Sequence, residues 1–284
     1  MDIVNFGDGK IPTISRQGND ILTWTRIPSQ YLLKPTSDPL KQIVESTYPC
    51  LQSQLQNEDY LRERAILTPL NETIDDINNY IIQMIEGPTR QYLNSDEIDK
   101  ATDNITEQEF MYPVEFLNSL NFNGFSNHCL HLKVGFPIML IRNINPGRGM
   151  CNGTRLTIVH LGDRIIEAKN LTGRNIGAKV LIPRIVLTKN DSKYPFILRR
   201  KQFSIKVCYA MTINKSHGQS FNYVGLYLPR PVFCHSQLYV ALSRVKSPKR
   251  LKILIVEQDE KYAEYIKNVV YNEIFNELPQ YNYI

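Results

Sequence analysis

Between residues 132 and 207 the chain breaks into five short runs rich in Val and Ile: "LKVGFPIMLIRNI", "GTRLTIVHL", "DRIIEAKNL", "AKVLIPRIVLT" and "PFILRRKQFSIKV". They are separated by "NPGRGMCNG", "GD", "TGRNIG" and "KNDSKYP". Runs of this length bounded by Gly, Asn and Pro read as β-strands joined by tight turns, and so many in one stretch predict a small barrel of OB or Src-homology type. The flanking sequence has a different period. In "RERAILTPLNETIDDINNYIIQMIEG" a buried strand at Ala65–Leu67 turns at Pro69–Asn71. Ile74, Ile77, Ile81 and Ile85 then recur at helical spacing, with Glu72, Asp75 and Asp76 in the first turn and Gly87-Pro88 as the stop. Those acids suit the positive end of a helix and are not read as a metal site. "LKQIVESTYPCLQSQL" is a further amphipathic helix, ending near Pro49. Beyond the β runs, "KVCYAMTI" reads as one continuous apolar strand. "HSQLYVALSRV" has helical spacing at Leu238, Ala241, Leu242 and Val245, and "LKILIVE" is another buried strand. The expected architecture is an α/β layer interrupted by a β module, with an acidic tail at 261–284.

Charge is segregated in the same way. Residues 130–252 hold 22 Lys and Arg against three acids, whereas residues 1–129 hold nine against 19. A stretch that basic yet rich in Val, Ile and Tyr is too apolar to be a disordered arm, so it predicts a folded electropositive surface, and such surfaces meet phosphate. The alternative is a solvated basic face docked against an acidic neighbour. No run approaches the ~18 apolar residues of a spanning helix, and the first twenty residues lack a secretory apolar core, so an intracellular protein without a membrane partner is expected. Five cysteines without C-x-x-C spacing point to neither a zinc site nor a disulfide framework.

The sequence contains no G-x-x-x-x-G-K-[ST] phosphate loop: "GDGK" lacks the first Gly and the hydroxyl, and Lys215-Ser216 follows Asn214. Paired acids ending a strand are missing from 130–252, where Asp163, Glu167 and Asp191 stand in turns or exposed contexts. The five histidines show no metal-ligand spacing, and there is no Gly-x-Ser-x-Gly elbow. This 284-residue chain alone is therefore expected to bind no nucleotide triphosphate and no metal. What it offers is a surface. The strand at 207–213 would deliver Thr212, Asn214, Lys215 and Ser216 to the carboxyl edge of the sheet, as small donors and one cation suited to a sugar-phosphate backbone. Gly218 would let the chain turn close to a ligand, and Gln219 offers both a donor and an acceptor. Arg244, late in the predicted helix, suits either an arginine finger reaching a γ-phosphate or a cation complementing the helix dipole. Phe196, Phe203 and Tyr209 are candidate stacking aromatics.

"AMTINKSHGQS" with "QLYVALSRV", separated by "VGLYLP" and "PVFCH", resembles motifs V and VI of the Pif-one-type, RecD-like branch of superfamily one DNA helicases, including copies carried by Helitron transposons. "FGDGKIP", "AILTPLNETIDDIN", "YPVEFLNSL", "LKVGFPIMLIRNINP", "CNGTRL" and "IPRIVL" resemble other stretches of the same helicases in the same order, over about residues 5–256. The resemblance implies a RecA-like parallel sheet with helices on both faces in 1–112 and 206–260, a 2B-type β-barrel module in 113–205, and a tail from 261. It implies Thr212, Asn214, Lys215 and Ser216 facing a single DNA strand, with Asn152, Gly153 and Thr154 making backbone or strand contacts. Gly218 and Gln219 would couple strand to nucleotide, and Arg244 would be the finger. ATP and Mg²⁺ would be held only in a complete helicase, together with a first RecA-like domain absent before Met1, and stepping would run 5′ to 3′. The compartment would be the nucleus, with the mitochondrion as alternative. His217 stands where the family usually has Gln, and Ser236 where it has Gly, a change expected to be tolerated because Ser caps helices well. The rival function is a stand-alone single-stranded nucleic-acid-binding module without a motor.

Overall fold

The computed structural model describes residues 3–7, 9–14, 24–99, 112–173, 175–256 and 260–271. Asp8 of "FGDGKIP" and most of the acidic tail lie outside the described residues. The helices, in chain order, are α1 (Ile3–Gly7), α2 (Pro39–Thr47), α3 (Glu58–Arg62), α4 (Asn71–Met84), α5 (Val114–Ser119) and α6 (Gln237–Leu242). The strands are β1 (Thr13–Ile14), β2 (Trp24–Arg26), β3 (Arg64–Thr68), β4 (Arg90–Leu93), β5 (Ser95–Ile98), β6 (Cys129–Leu132), β7 (Pro137–Leu140) and β8 (Arg155–Leu161). They continue with β9 (Ile165–Asn170), β10 (Lys179–Asn190), β11 (Ile197–Phe203), β12 (Ile205–Val207), β13 (Ala210–Thr212), β14 (Tyr223–Leu228), β15 (Leu251–Ile255) and β16 (Tyr265–Lys267). The chain divides into two compact units, one of residues 1–54, 60–83 and 209–284, the other of 55–59 and 84–208.

The first unit is built on a parallel sheet in the order β13-β3-β14-β15. Its strands are apolar on both faces because helices cover the sheet. Helix α2 starts where the Asp38 carboxylate accepts the Lys41 amide at 3.0 Å, with Pro39 in the first turn. It buries Ile43, Val44 and Thr47 and lies so close to β14 that a Cβ on Gly225 would collide with the Thr47 hydroxyl. Helix α4 turns Ile77 and Ile81 inward, as the spacing predicts, and Ile85 is buried just past its end. A small antiparallel sheet, β1-β2-β16, completes the unit.

The second unit is an antiparallel ladder in the order β12-β7-β8-β9-β10-β11-β5, with β4 and β6 as a separate ribbon. Strand β10 serves two neighbours: Lys179–Pro183 pair with β9 and Arg184–Asn190 with β11. The β segments expected from sequence are present, but no pairing between the end strands β12 and β5 closes a barrel among the described residues. Two boundaries differ from expectation. The second unit takes in residues 55–59 and its main stretch runs from Met84 where the sequence suggested 113, because β4 pairs with β6 and β5 with β11. The supposed continuous strand "KVCYAMTI" is divided: β12 joins β7 in one unit and β13 joins β3 in the other, with the crossing at Cys208-Tyr209. Both halves are apolar, so periodicity could not locate the break. The aromatics nominated for stacking are interior residues, with Phe196 3%, Phe203 0% and Tyr209 0% exposed.

Among the described residues, Arg200 and Asp96 form the most deeply buried ion pair of the second unit, with side chains 1% and 0% exposed. Arg200 Nε donates to Asp96 Oδ1 at 2.9 Å and Nη2 to Oδ2 at 2.6 Å, while Nη1 and Nη2 also reach the Ser126 and Leu117 carbonyls. This fork ties β5, α5 and the 126 turn to β11.

Candidate nucleic-acid and nucleotide-coupling loops

Strand β13 is an edge strand only three residues long, and its position is fixed from outside the sheet. Asn78 on α4 is 5% exposed, and its Oδ1 accepts the amides of Tyr209 and Ala210 at 3.1 and 3.0 Å. The Tyr48 hydroxyl donates to the Tyr209 carbonyl at 2.9 Å. Burial pushes the Tyr209 phenol well above its ordinary range, so it stays neutral there. Asn78 is a positioning residue that sequence reasoning missed. Its only signal was a polar residue beside Ile77 on the apolar face of α4.

At the carboxyl end of β13, Thr212 caps a 3-10 turn, its hydroxyl accepting the Lys215 amide at 3.3 Å. Asn214 and Lys215 are exposed at the tip of that turn. Ser216 is not presented outward: it is 0% exposed and its hydroxyl donates to the Ile213 carbonyl at 2.6 Å. The Ser216 hydroxyl thus closes the turn rather than facing outward beside Asn214 and Lys215. His217 is exposed at the end of the turn, and Gly218 follows at φ +74°, a left-handed conformation that Gly adopts at little cost. The Gln219 amide Nε2 returns to the Lys215 carbonyl at 3.3 Å.

Arg244 lies just past α6, whose buried face is Gln237, Leu238, Ala241 and Leu242. Its guanidinium is folded against its own unit. Nε donates to the Val240 carbonyl at 3.0 Å, Nη2 to Ser243 Oγ at 2.8 Å, and Nη1 to the Gln219 carbonyl at 3.2 Å. The backbones are joined as well, through Phe221 N to Arg244 O and Lys246 N to Phe221 O. The two segments that sequence pattern singled out therefore form one linked element, with Lys215 exposed on one side and Arg244 held at the other. In front of α6, Ser236 takes φ +55° and makes no side-chain cap. The helix-capping rationale for Ser at that position is thus corrected: the site asks for a left-handed backbone, which Gly fits better than Ser.

Asn152, Gly153 and Thr154 belong to the other unit. They form the turn between β7 and β8, where the Asn152 amide donates to Asn143 Oδ1 at 2.8 Å and Thr154 Oγ1 donates to the Gly149 carbonyl at 2.9 Å. Asn152 is exposed and Thr154 half-buried. Among the described residues there is no cluster of three or more His, Cys, Asp or Glu placed to hold a metal, and no helix long and apolar enough to cross a membrane.

A parallel α/β layer split by an antiparallel insertion is consistent with a RecA-like fold, with Thr212 at the carboxyl end of β13 and the Arg244 segment bridged to the start of β14. Residues 115–161 match the family described as DNA helicase Pif1, 2B domain. The chain is 34% identical to the ATP-dependent DNA helicase PIF1 of Rattus norvegicus over 128 residues, 44% of this chain and 19% of that protein. It is 26% identical to the PIF1 helicase of Xenopus laevis over 228 residues, 77% of this chain and 31% of that protein. Among solved structures, the Bacteroides Pif1 helicase in complex with ADP-AlF3 and ssDNA matches 85% of this chain and 49% of its own at TM-score 0.53 and 20% identity. The Candida albicans Pif1 helicase matches 84% and 55% at TM-score 0.51 and 18% identity, a likeness of fold. The chain is thus similar to Pif1-type helicases, most specifically in the 2B stretch, and spans a fifth to a third of the length of these two curated relatives.

Proposed function

We propose that this chain supplies the second RecA-like domain and the 2B domain of an ATP-dependent 5′-to-3′ DNA helicase of Pif1 type. The observation that carries this reading is the hydrogen bond from Arg244 to the Gln219 carbonyl. It joins a strand-facing loop to a loop bearing an always-charged fork, as a motor must if nucleotide state is to move a strand. In this reading Thr212, Asn214 and Lys215 hold the sugar-phosphate backbone of single-stranded DNA, and Asn152 and Thr154 add contacts from the 2B domain. Gly218 and Gln219 transmit strain between strand and nucleotide. Arg244 leaves Val240, Gln219 and Ser243 to meet a γ-phosphate, because the three acceptors it now uses are neutral oxygens that an anion outcompetes.

ATP and Mg²⁺ would be held by the phosphate loop of a partner RecA-like domain, on the same or another polypeptide, since this sequence contains no such loop. What these residues supply to that site is a charged donor and a sensor of its occupancy. A DNA substrate would suit the nucleus or, as the second choice, the mitochondrion. The helicase relatives favour this reading over a motorless binding module.

The test separates the two loops. Lys215→Ala should weaken oligonucleotide binding about equally for all sequences and lower the slope of log K against log salt by about one. Arg244→Ala should change binding by the nucleotide-free chain far less and abolish stimulated ATP hydrolysis once a phosphate-loop domain is supplied. Equal losses of binding from both substitutions would contradict the division of roles.

A further inference from the structure

The carboxyl ends of β14 and β15 leave a cavity of about 290 Å³ that neither the strand-facing loop nor Arg244 lines. The two strands end in register at Leu228 and Ile255, and β2 and β16 meet the cavity where Trp24 pairs with Lys267. Its wall combines two kinds of surface. Trp24, 8% exposed, together with Tyr265, Pro229 and Pro231 supplies apolar ring surface, while Arg230 and Lys267 bring two cations. Neither cation is paired with an acid among the described residues, whereas Arg26 on the same small sheet is neutralised by Glu264 at 2.6 Å.

A cavity left by imperfect packing would be lined by apolar groups, and a solvated basic patch would have no need of an indole and a phenol between its charges. Aromatic surface beside two cations is what a nucleobase with its phosphate requires: the base stacks and the phosphate pairs. Ligand pockets run from about 300 to 1,000 Å³, so this one sits at the small end and suits a single nucleotide. Its place in the sheet agrees. Thr212 is paired with Thr68 on β3, β3 with β14, and β14 with β15. Neighbouring strands stand roughly 4.8 Å apart, so the cavity lies on the same carboxyl edge about 10–15 Å from Thr212, within reach of the next nucleotides of a strand held there.

We propose that this cavity is a stacking subsite for one nucleotide of the bound single strand, its base against Trp24 and Tyr265 and its phosphate on Arg230 and Lys267. The proposal rests on the strand-binding reading above and extends the track beyond the known motif loops.

The chain has a single tryptophan, so Trp24 emission reports occupancy directly. Titrating the full chain with thymidine 5′-monophosphate should quench that emission saturably, while inorganic phosphate at the same concentration should leave it unchanged. The pair Arg230→Ala and Lys267→Ala should weaken the nucleotide's apparent affinity about ten-fold or more, through loss of two charged contacts. Tyr265→Leu, which keeps an apolar side chain but removes the ring, should weaken it while phosphate remains without effect. Quenching by inorganic phosphate as strong as by the nucleotide would mean an anion site only and overturn the stacking claim. Unchanged emission with nucleotide, while a labelled oligonucleotide still binds the same sample by anisotropy, would overturn the subsite and leave the strand-binding reading intact. Loss of oligonucleotide binding altogether would instead strike the reading on which the proposal rests.

Discussion

Removing the Asp96 carboxylate should be among the most damaging single changes to the second unit. Arg200 Nε and Nη2 direct three contacts at Asp96, at 2.9, 3.1 and 2.6 Å, and the guanidinium is left with only the Ser126 and Leu117 carbonyls once these are gone. At 1% side-chain exposure it cannot turn to water, and an uncompensated buried charge costs about 3–5 kcal/mol. For a unit of this size each kcal/mol moves the midpoint by roughly 3–5 °C, so Asp96→Ala should lower the melting temperature by about 10–20 °C. The pair itself is not inherently stabilising relative to good apolar packing. Asp96→Leu combined with Arg200→Met should therefore recover most of the loss, whereas either change alone should not. The assay is calorimetry or far-ultraviolet circular dichroism, because the sole tryptophan lies in the first unit and is blind to this one. A fall of less than about 1 kcal/mol for Asp96→Ala, or a double variant no better than the single, would refute the reasoning.

Asn78→Ala leaves the Tyr209 and Ala210 amides without their buried acceptor and should cost about 2–3 kcal/mol, with a parallel loss of oligonucleotide affinity if β13 carries the loop proposed to face the strand; denaturant titration and anisotropy check both. Ser236→Gly removes a left-handed non-glycine residue and should stabilise the first unit by about 1 kcal/mol, measurable as a raised midpoint in urea. Burial raises the Tyr60 phenol to about 12, above its ordinary 10. Folding therefore favours the neutral form, and the stability it preserves is complete below pH 10 and lost as pH rises towards 12, which denaturation midpoints across that range and absorbance at 295 nm should follow together.

Much of the α/β frame was legible because its signals are local. The Ile spacing of α4, its turn at Pro69–Asn71 and the apolar face of α6 each express a periodicity that tertiary packing did not override. The insertion was legible as β runs between Gly- and Asn-rich turns, but its edge was not: β4 and β5 are short and polar, and they become strands only because β6 and β11 are there to pair with them. The crossing at Cys208-Tyr209 was hidden for the opposite reason, since both flanks are apolar and both are buried. Among the candidate residues, Lys215 and Arg244 stood out by type, whereas the burial of Ser216 and of the three aromatics depends on packing that residue type does not show. Asn78, the Arg244–Gln219 bond and the Trp24 cavity are long-range relations, which no window of sequence contains.

The most direct measurement of the central claim is a fluorescence-anisotropy titration of labelled single-stranded oligonucleotide with the 284-residue chain at two salt concentrations, with ATP hydrolysis followed in the same sample. Tight binding that weakens steeply with salt, without turnover of ATP, is the predicted result. Binding that is absent at low salt, or turnover that co-purifies with a chain containing no phosphate loop, would contradict it.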